Sequence, residues 1–256
     1  MTDTQVFKVP TQPLDLPSKG LLYPEGHPLA SGIIELNMPT AYHEDILTNQ
    51  NYINKGMVVD KFLQAIIATK VDYDDIFLGD KNAVLIASRI LAYGPKYTFK
   101  YTETNSRESE EVTVDLSDLK NKEVDWSLFK EGKNEFYFEL PLSKKLITFK
   151  LLTHKDETLI DGEIKGLKKI HKDMSGDITI RLAHQIVAVD GNTDKKTIRD
   201  FARSMPMRDS QELRKYMISV SPDVEMKFDF TKSNGEVVEG LVIPMTVDFF
   251  WPNLGV

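Results

Sequence analysis

The chain has 256 residues, a formal net charge of −7 and no cysteine. This length allows one large domain or two small ones with a substantial core. The acidic balance argues against nucleic acid as the main partner, because such binding depends on neutralising phosphates. The lack of cysteine excludes disulfides, thiolate zinc sites and a cysteine nucleophile. No apolar run is long enough to cross a membrane, and no signal-peptide pattern opens the chain, so we expect no membrane association.

Residues 1–39 are rich in proline, and proline fixes φ and removes a backbone donor. We therefore predict an extended N-terminal arm with turns and one strand over residues 32–38. The arm needs a surface, which is either the body of the same chain or a neighbouring subunit. Its interface candidates are Leu21, Leu22 and Tyr23, and deletion of residues 1–24 is expected to leave a folded body that cannot assemble.

Residues 40–95 are predicted to be helical. Thr40 can cap a helix over residues 41–48. A second helix follows from Val58, because apolar residues recur there at helical spacing. Asp80 is expected to cap a third helix, which ends at Gly94.

Residues 96–152 form a predicted β segment. Its first part is a hairpin over residues 96–116, with a polar loop between two strand-like runs. Its second part is a strand pair, residues 136–140 and 146–151, around the turn that contains Pro141.

Helices return in residues 153–222, and residues 223–256 end the chain with a β-hairpin and an aromatic tail. Residues 178–189 fit a helix, although their β-branched content also allows a strand. Asp194 and Asp209 are expected to cap the last two helices, residues 195–204 and 210–219. The predicted class is α+β, with two helical segments that are each followed by a β-hairpin segment.

The aromatic tail contains Phe249, Phe250 and Trp251. If the last strand returns into the body, these are core residues. If the end is free, they form a docking plug, because aromatic side chains anchor interfaces. We retain them as interface candidates.

No catalytic signature is present. The sequence has no GxSxG, Walker A or GxGxxG motif, and no two of its five histidines stand at a metal-ligand spacing. The acidic loop of Asp72, Asp74, Asp75 and Asp80 lacks the glycine and glutamate of an EF-hand. We predict no enzyme activity, no metal and no cofactor.

Six short blocks occur in a fixed order: LPSKGLLYP, GDKNAVLIASRILAYGPKYTF, LPLSKKLITFKLLT, IVAVDGNTD, MRDSQELRKYM and DFFWP. In these blocks, over residues 16–252, the chain resembles the T-even-type bacteriophage baseplate hub protein family. The resemblance implies a structural or assembly component of the tail baseplate hub, with other phage baseplate and tail proteins as partners in a hetero-oligomer. It also implies a location in the virion tail after assembly in the host cytoplasm.

The chain departs from that family in its hairpins. The resemblance implies two CxxC pairs, one in each hairpin, and the corresponding positions here are Tyr101 and Thr104, and Phe230 and Ser233. Two such pairs would predict a zinc ribbon, but every ligand is replaced, so this is a cysteine-free version and no metal is expected. We expect the hairpins to pack together like a metal-free zinc ribbon, through an apolar contact of Tyr101 with Phe230.

Two other functions remain open. One is a transient baseplate assembly chaperone that is absent from the mature virion. The other is a nucleic-acid-binding remnant of a zinc-ribbon protein, which the acidic net charge disfavours.

Overall fold

The computed structural model describes residues 9–102, 109–170, 176–245 and 249–250. This part of the chain is a mixture of helices and small antiparallel sheets, in agreement with the predicted α+β class. The helices are α1 (Ala41–Leu47), α2 (Gln50–Asn54), α3 (Val58–Ile66), α4 (Leu78–Tyr93), α5 (His154–Ile170), α6 (Asp177–Gln185), α7 (Lys195–Ser204) and α8 (Met207–Val220). The strands are β1 (Thr11–Asp15), β2 (Ile33–Asn37), β3 (Lys96–Thr102), β4 (Ser109–Asp115), β5 (Phe136–Glu139), β6 (Leu146–Phe149), β7 (Ile186–Val189), β8 (Lys227–Thr231) and β9 (Val237–Val242).

The proline-rich N-terminal segment folds onto the body of the same chain, which is one of the two surfaces considered for the predicted arm. Strand β1 pairs antiparallel with β2, and the turns between them bury Leu16, Leu22 and Leu29. The turns pack closely: a Cβ on Gly20, whose φ is +79°, would lie 2.4 Å from the carbonyl oxygen of Ala30. Proline excluded a helix here, but the apolar residues between the prolines made the segment part of the core.

The first helical segment follows its predicted pattern closely. Helix α1 begins after Thr40, and α4 ends at Gly94, whose φ of +81° favours glycine. Helix α2, which no sequence pattern predicted, begins where the Asn49 side chain accepts hydrogen bonds from two backbone amides. Asp80 is not a cap, because α4 begins at Leu78 and places Asp80 third in the helix.

Beyond β1 and β2, the named strands of the described residues form two hairpins and one three-stranded sheet. Strands β3 and β4 form the first hairpin, and β8 and β9 form the second. Strands β5 and β6 pair as expected, but β7 joins them in the order β5-β6-β7. Residues 178–189 therefore contain both alternatives, because α6 ends at Gln185 and β7 begins at the next residue.

The two final helices differ in how they begin. The Asp194 side chain accepts a hydrogen bond from the Thr197 amide and caps α7, as predicted. Asp209 does not cap α8, which already begins at Met207, so Asp209 is the third helical residue. One apolar core, which extends from Leu16 to Phe250, joins both helical segments.

Candidate functional site

The interface candidates of the N-terminal segment lie largely inside the protein. Leu22 and Tyr23 are buried, whereas Leu21 is partly exposed. The Tyr23 ring packs edge-on against Phe77, with ring centroids 4.9 Å apart. This placement corresponds to the alternative in which the segment lies on its own body.

The aromatic tail also enters the core of the chain. Phe249 and Phe250 are 1% and 2% exposed. Phe249 packs edge-on against Tyr97 at 5.0 Å, and Phe250 packs against Phe62 at 5.2 Å between ring centroids. Their burial corresponds to the core alternative rather than the docking plug, and Trp251 lies outside the described residues.

The two hairpins meet through aromatic side chains. The ring centroids of Tyr101 and Phe230 are 6.4 Å apart, and those of Phe99 and Phe228 are 6.3 Å apart. At the tip of the second hairpin, the Ser233 hydroxyl donates to a Glu110 carboxylate oxygen at 2.6 Å. The structure thus brings together Tyr101, Phe230 and Ser233, while Thr104 lies outside the described residues.

Backbone hydrogen bonds also join the chain segments next to the two hairpins. The Lys122 amide donates to the carbonyl of Asp223, and the Glu225 amide donates to the carbonyl of Lys120, both at 2.8 Å. The segment that leaves the first hairpin is therefore joined to the segment that enters the second. This pairing holds the hairpins side by side without metal ligands.

We expect the Tyr101 and Phe230 rings to stabilise the protein cooperatively. Tyr101→Ala and Phe230→Ala should show a coupling energy of about 0.5–1.5 kcal/mol in a double-mutant cycle, which is typical of aromatic pairs. Urea unfolding of the single and double variants measures it. Tyr137→Ala combined with Phe230→Ala is the control, because Tyr137 is half exposed on β5, and strictly additive losses for Tyr101 and Phe230 would contradict the contact.

The buried Asp80 side chain joins the N-terminal segment to α4. It is 1% exposed, and its carboxylate accepts hydrogen bonds from the Ser18 amide (2.9 Å), the Ser18 hydroxyl (2.7 Å) and the Tyr23 hydroxyl (2.8 Å). The partners lie 62 and 57 residues away in sequence. Asp80 thus fastens the LPSK turn to the first turn of α4.

Asp209 has the same role in the second helical segment. It is fully buried and accepts hydrogen bonds from the backbone amides of Leu142 (2.8 Å) and Ser143 (2.9 Å). The lysines that follow the two bound serines, Lys19 and Lys144, both have positive φ values, 53° and 57°. The signal that could have revealed this was the recurrence of Leu-Pro and Ser-Lys in LPSK and LPLSK, each paired with an aspartate at the start of a later helix.

The balance of burial and hydrogen bonding shifts the pKa values of these two carboxyl groups in opposite directions. Burial raises the pKa of Asp80 above its usual value, and the hydrogen bonds from Ser18 and Tyr23 offset this only in part. Burial also acts to raise the pKa of Asp209, but the hydrogen bonds from Leu142 and Ser143 outweigh it, so the pKa of Asp209 lies below its usual value.

We expect Asp80→Asn and Asp209→Asn to change the pH dependence of stability with opposite signs. A lowered folded-state pKa stabilises the protein above the unfolded value of about 4, and this stabilisation is lost as the pH falls through the folded value. The advantage of wild type over Asp209→Asn should therefore shrink below about pH 4. The raised folded-state pKa of Asp80 stabilises the protein below about pH 4, and this stabilisation is lost as the pH rises through the folded value. The stability advantage of wild type over Asp80→Asn should therefore shrink as the pH rises towards 7. Urea unfolding between pH 3 and 7 measures both slopes, and slopes of equal sign would refute the assignment.

A polar cluster joins α3 and α4 to the start of α5. Lys81 Nζ lies 2.6 Å from Asp60 Oδ1 and 3.1 Å from His154 Nδ1, and the Tyr73 hydroxyl donates to the same Asp60 oxygen at 2.9 Å. Lysine and tyrosine thus bind the same carboxylate oxygen of Asp60. The cluster fixes the helices relative to one another.

Two kinds of feature are absent from the part of the chain that the structure describes: a metal-binding cluster and a membrane-spanning helix. In residues 9–102, 109–170, 176–245 and 249–250, histidine and carboxylate side chains form no group of three that could hold a metal ion. No helix within these ranges has the length and apolar character required to cross a membrane.

Comparison with known proteins decides the family. The model of a family described as T4 bacteriophage base plate protein matches residues 25–251, which is most of the chain. The chain belongs to this family. Comparison with curated proteins and with solved structures gives no match. Membership makes the chain a phage baseplate protein, with a place in the virion tail and an association with other tail or baseplate proteins.

Proposed function

We propose that this baseplate protein is a structural component of the baseplate hub, bound to other tail proteins in a hetero-oligomeric assembly. Its membership in a baseplate family carries the proposal. The sequence blocks that resemble hub proteins support a location in the hub of the baseplate. Assembly in the host cytoplasm and a non-enzymatic role belong to the same proposal.

The internal construction of the chain supports a role in fixing geometry. The two helical segments share one apolar core, and two buried aspartates fasten distant turns to helices. Most of the predicted docking aromatics are used inside the chain. Exposed apolar side chains therefore make the contacts with neighbouring proteins. Among them, more than half of the side chain is exposed in Tyr42, Ile170, Met207 and Ile218.

We also propose that the hairpins keep the arrangement of a zinc ribbon, with an aromatic contact in place of the metal. The contact of Tyr101 with Phe230 supports this, because the two residues occupy the first ligand position of each hairpin. A shared apolar contact preserves the spacing of the hairpins without dependence on metal supply.

Quantitative mass spectrometry of purified, intact tails tests the hub role. The chain should be present at a fixed small-integer ratio to a known baseplate protein. Its absence from tails, with presence in assembly intermediates, would instead identify a transient assembly chaperone. Absence from both would exclude any role in building the tail.

A further inference from the structure

The structure divides into two halves with the same order of elements. The first contains β1, the LPSK turn, β2, helices α1 to α4 and the hairpin β3–β4. The second contains β5, the LPLSK turn, β6, helices α5 to α8 and the hairpin β8–β9, with β7 added before α7. Each half therefore has a strand pair around a Leu-Pro turn, then helices, then a hairpin.

Sequence spacing supports the correspondence of the two halves. Asp80 and Asp209 are each the third residue of the last helix, and each stands 21 residues before its hairpin aromatic, Tyr101 or Phe230. Asp80 and Asp209 are 129 positions apart, and so are Tyr101 and Phe230. The same shift relates Phe99 to Phe228, so the hairpin contact joins corresponding residues.

In the first half, the start of the last helix is covered by the segment that joins α8 to β8. A Cβ on Gly79 would lie 1.9 Å from the carbonyl oxygen of Pro222, so only glycine fits. The Asn82 amide donates to both carboxylate oxygens of Asp223, at 3.0 and 3.1 Å. The Pro222–Asp223 segment thus binds the first turns of α4.

In the second half, the corresponding surface is open. Met207 corresponds to the half-buried Leu78 but is 77% exposed, and Arg208 and Gln211 correspond to Gly79 and Asn82. Leu142 is 58% exposed and lies at the same end of α8, because its amide is bound to Asp209, two residues after Met207. Leu142, Lys144, Met207, Arg208 and Gln211 together form what we name the α8 surface.

The α8 surface combines apolar and basic groups. Leu142 and Met207 are both exposed apolar side chains at this end of α8, and apolar side chains are typical of interface centres. Lys144 and Arg208 are also exposed, and Arg208 helps to lower the pKa of the neighbouring Asp209. An acidic partner therefore complements it, and the Asp209 hydrogen bonds hold it in place before binding.

We propose that the α8 surface binds an acidic segment of a partner protein in the way that the Pro222–Asp223 segment binds α4. A carboxylate would accept from Gln211 and Arg208, as Asp223 accepts from Asn82. An apolar residue of the same partner segment would cover Met207 and Leu142. The identity of the partner as another tail or baseplate protein rests on the proposed function.

Site-specific photocrosslinking tests the surface in the full chain. A photoreactive phenylalanine analogue replaces Met207 in infected cells, and mass spectrometry identifies the crosslinked peptide. We expect an adduct on a partner segment that contains aspartate or glutamate. Arg208→Glu should lower the adduct yield about tenfold, a loss of about 1.4 kcal/mol in binding. The matched control is Lys165→Glu, an exposed charge reversal on α5 that should leave the yield unchanged.

The outcomes separate the surface from the hub role. No adduct, an adduct on a basic or apolar segment, or a yield indifferent to Arg208→Glu would overturn the α8 surface, while a fixed ratio in tails would leave the hub role intact. An adduct on an acidic segment of a protein foreign to the tail would support the surface and overturn the hub role. Circular dichroism and thermal unfolding of the Arg208→Glu chain establish that it folds.

Discussion

Asp80→Ala is expected to lower the free energy of unfolding by about 3–5 kcal/mol, because it strands buried donors at about 1–3 kcal/mol each. The Ser18 amide, the Ser18 hydroxyl and the Tyr23 hydroxyl all donate to this carboxylate. Ser18 and Tyr23 are themselves buried, so their donors lose this acceptor inside the protein. Urea unfolding followed by circular dichroism at pH 7 measures the loss.

Two further variants sharpen the Asp80 experiment. Asp74→Ala removes an exposed carboxylate from the loop just before α4, so its effect should stay within about 0.5 kcal/mol. Tyr23→Phe removes one of the three donors and should cost less than Asp80→Ala. A change of under about 1 kcal/mol for Asp80→Ala would mean that the turn is held by apolar packing alone.

Deletion of residues 1–24 is expected to abolish cooperative folding, which reverses the expectation drawn from the sequence. The deletion removes β1 together with Leu16, Leu22 and Tyr23, each of which contributes about 1.5–3 kcal/mol through burial. It also leaves the Asp80 carboxylate without its partners. These losses together reach the usual stability of a domain, about 5–15 kcal/mol. Thermal unfolding by circular dichroism or calorimetry should show no sharp transition.

Substitutions in the intact chain test the same point without truncation. Leu16→Ala with Leu22→Ala should cost about 4 kcal/mol or more, because buried Leu→Ala changes each cost about 2–5 kcal/mol. Ile33→Ala is the control in the same N-terminal segment, because Ile33 is exposed in β2. A cooperative transition of the truncated chain at the wild-type temperature would restore the picture of a separable arm.

Local signals predicted much of the secondary structure. The apolar spacing that begins at Val58 marked α3, Asp194 marked the start of α7, and Gly94 marked the end of α4. Each of these depends on residues within a few positions of one another. Strand β7 was harder, because its partner β6 lies some forty residues earlier and decides between strand and helix.

The candidate site was predicted less well, because its decisive contacts are distant in sequence. An aspartate just before an apolar run is typical of a helix cap, so Asp80 and Asp209 were assigned that role. Their partners lie more than 55 residues away, where no local pattern can indicate them. The contact of Tyr101 with Phe230 was anticipated only because the family resemblance paired the two hairpins.

The insertion of Phe250 beside Phe62 affects how the protein is made. The two residues are 188 positions apart, so the core around α3 stays incomplete while most of the chain is being synthesised. Contacts between such distant positions slow folding and prolong the exposure of apolar surface. A ribosome that stalls before Phe250 therefore releases a product with an unfilled core, which cellular proteases can remove before it enters a growing tail.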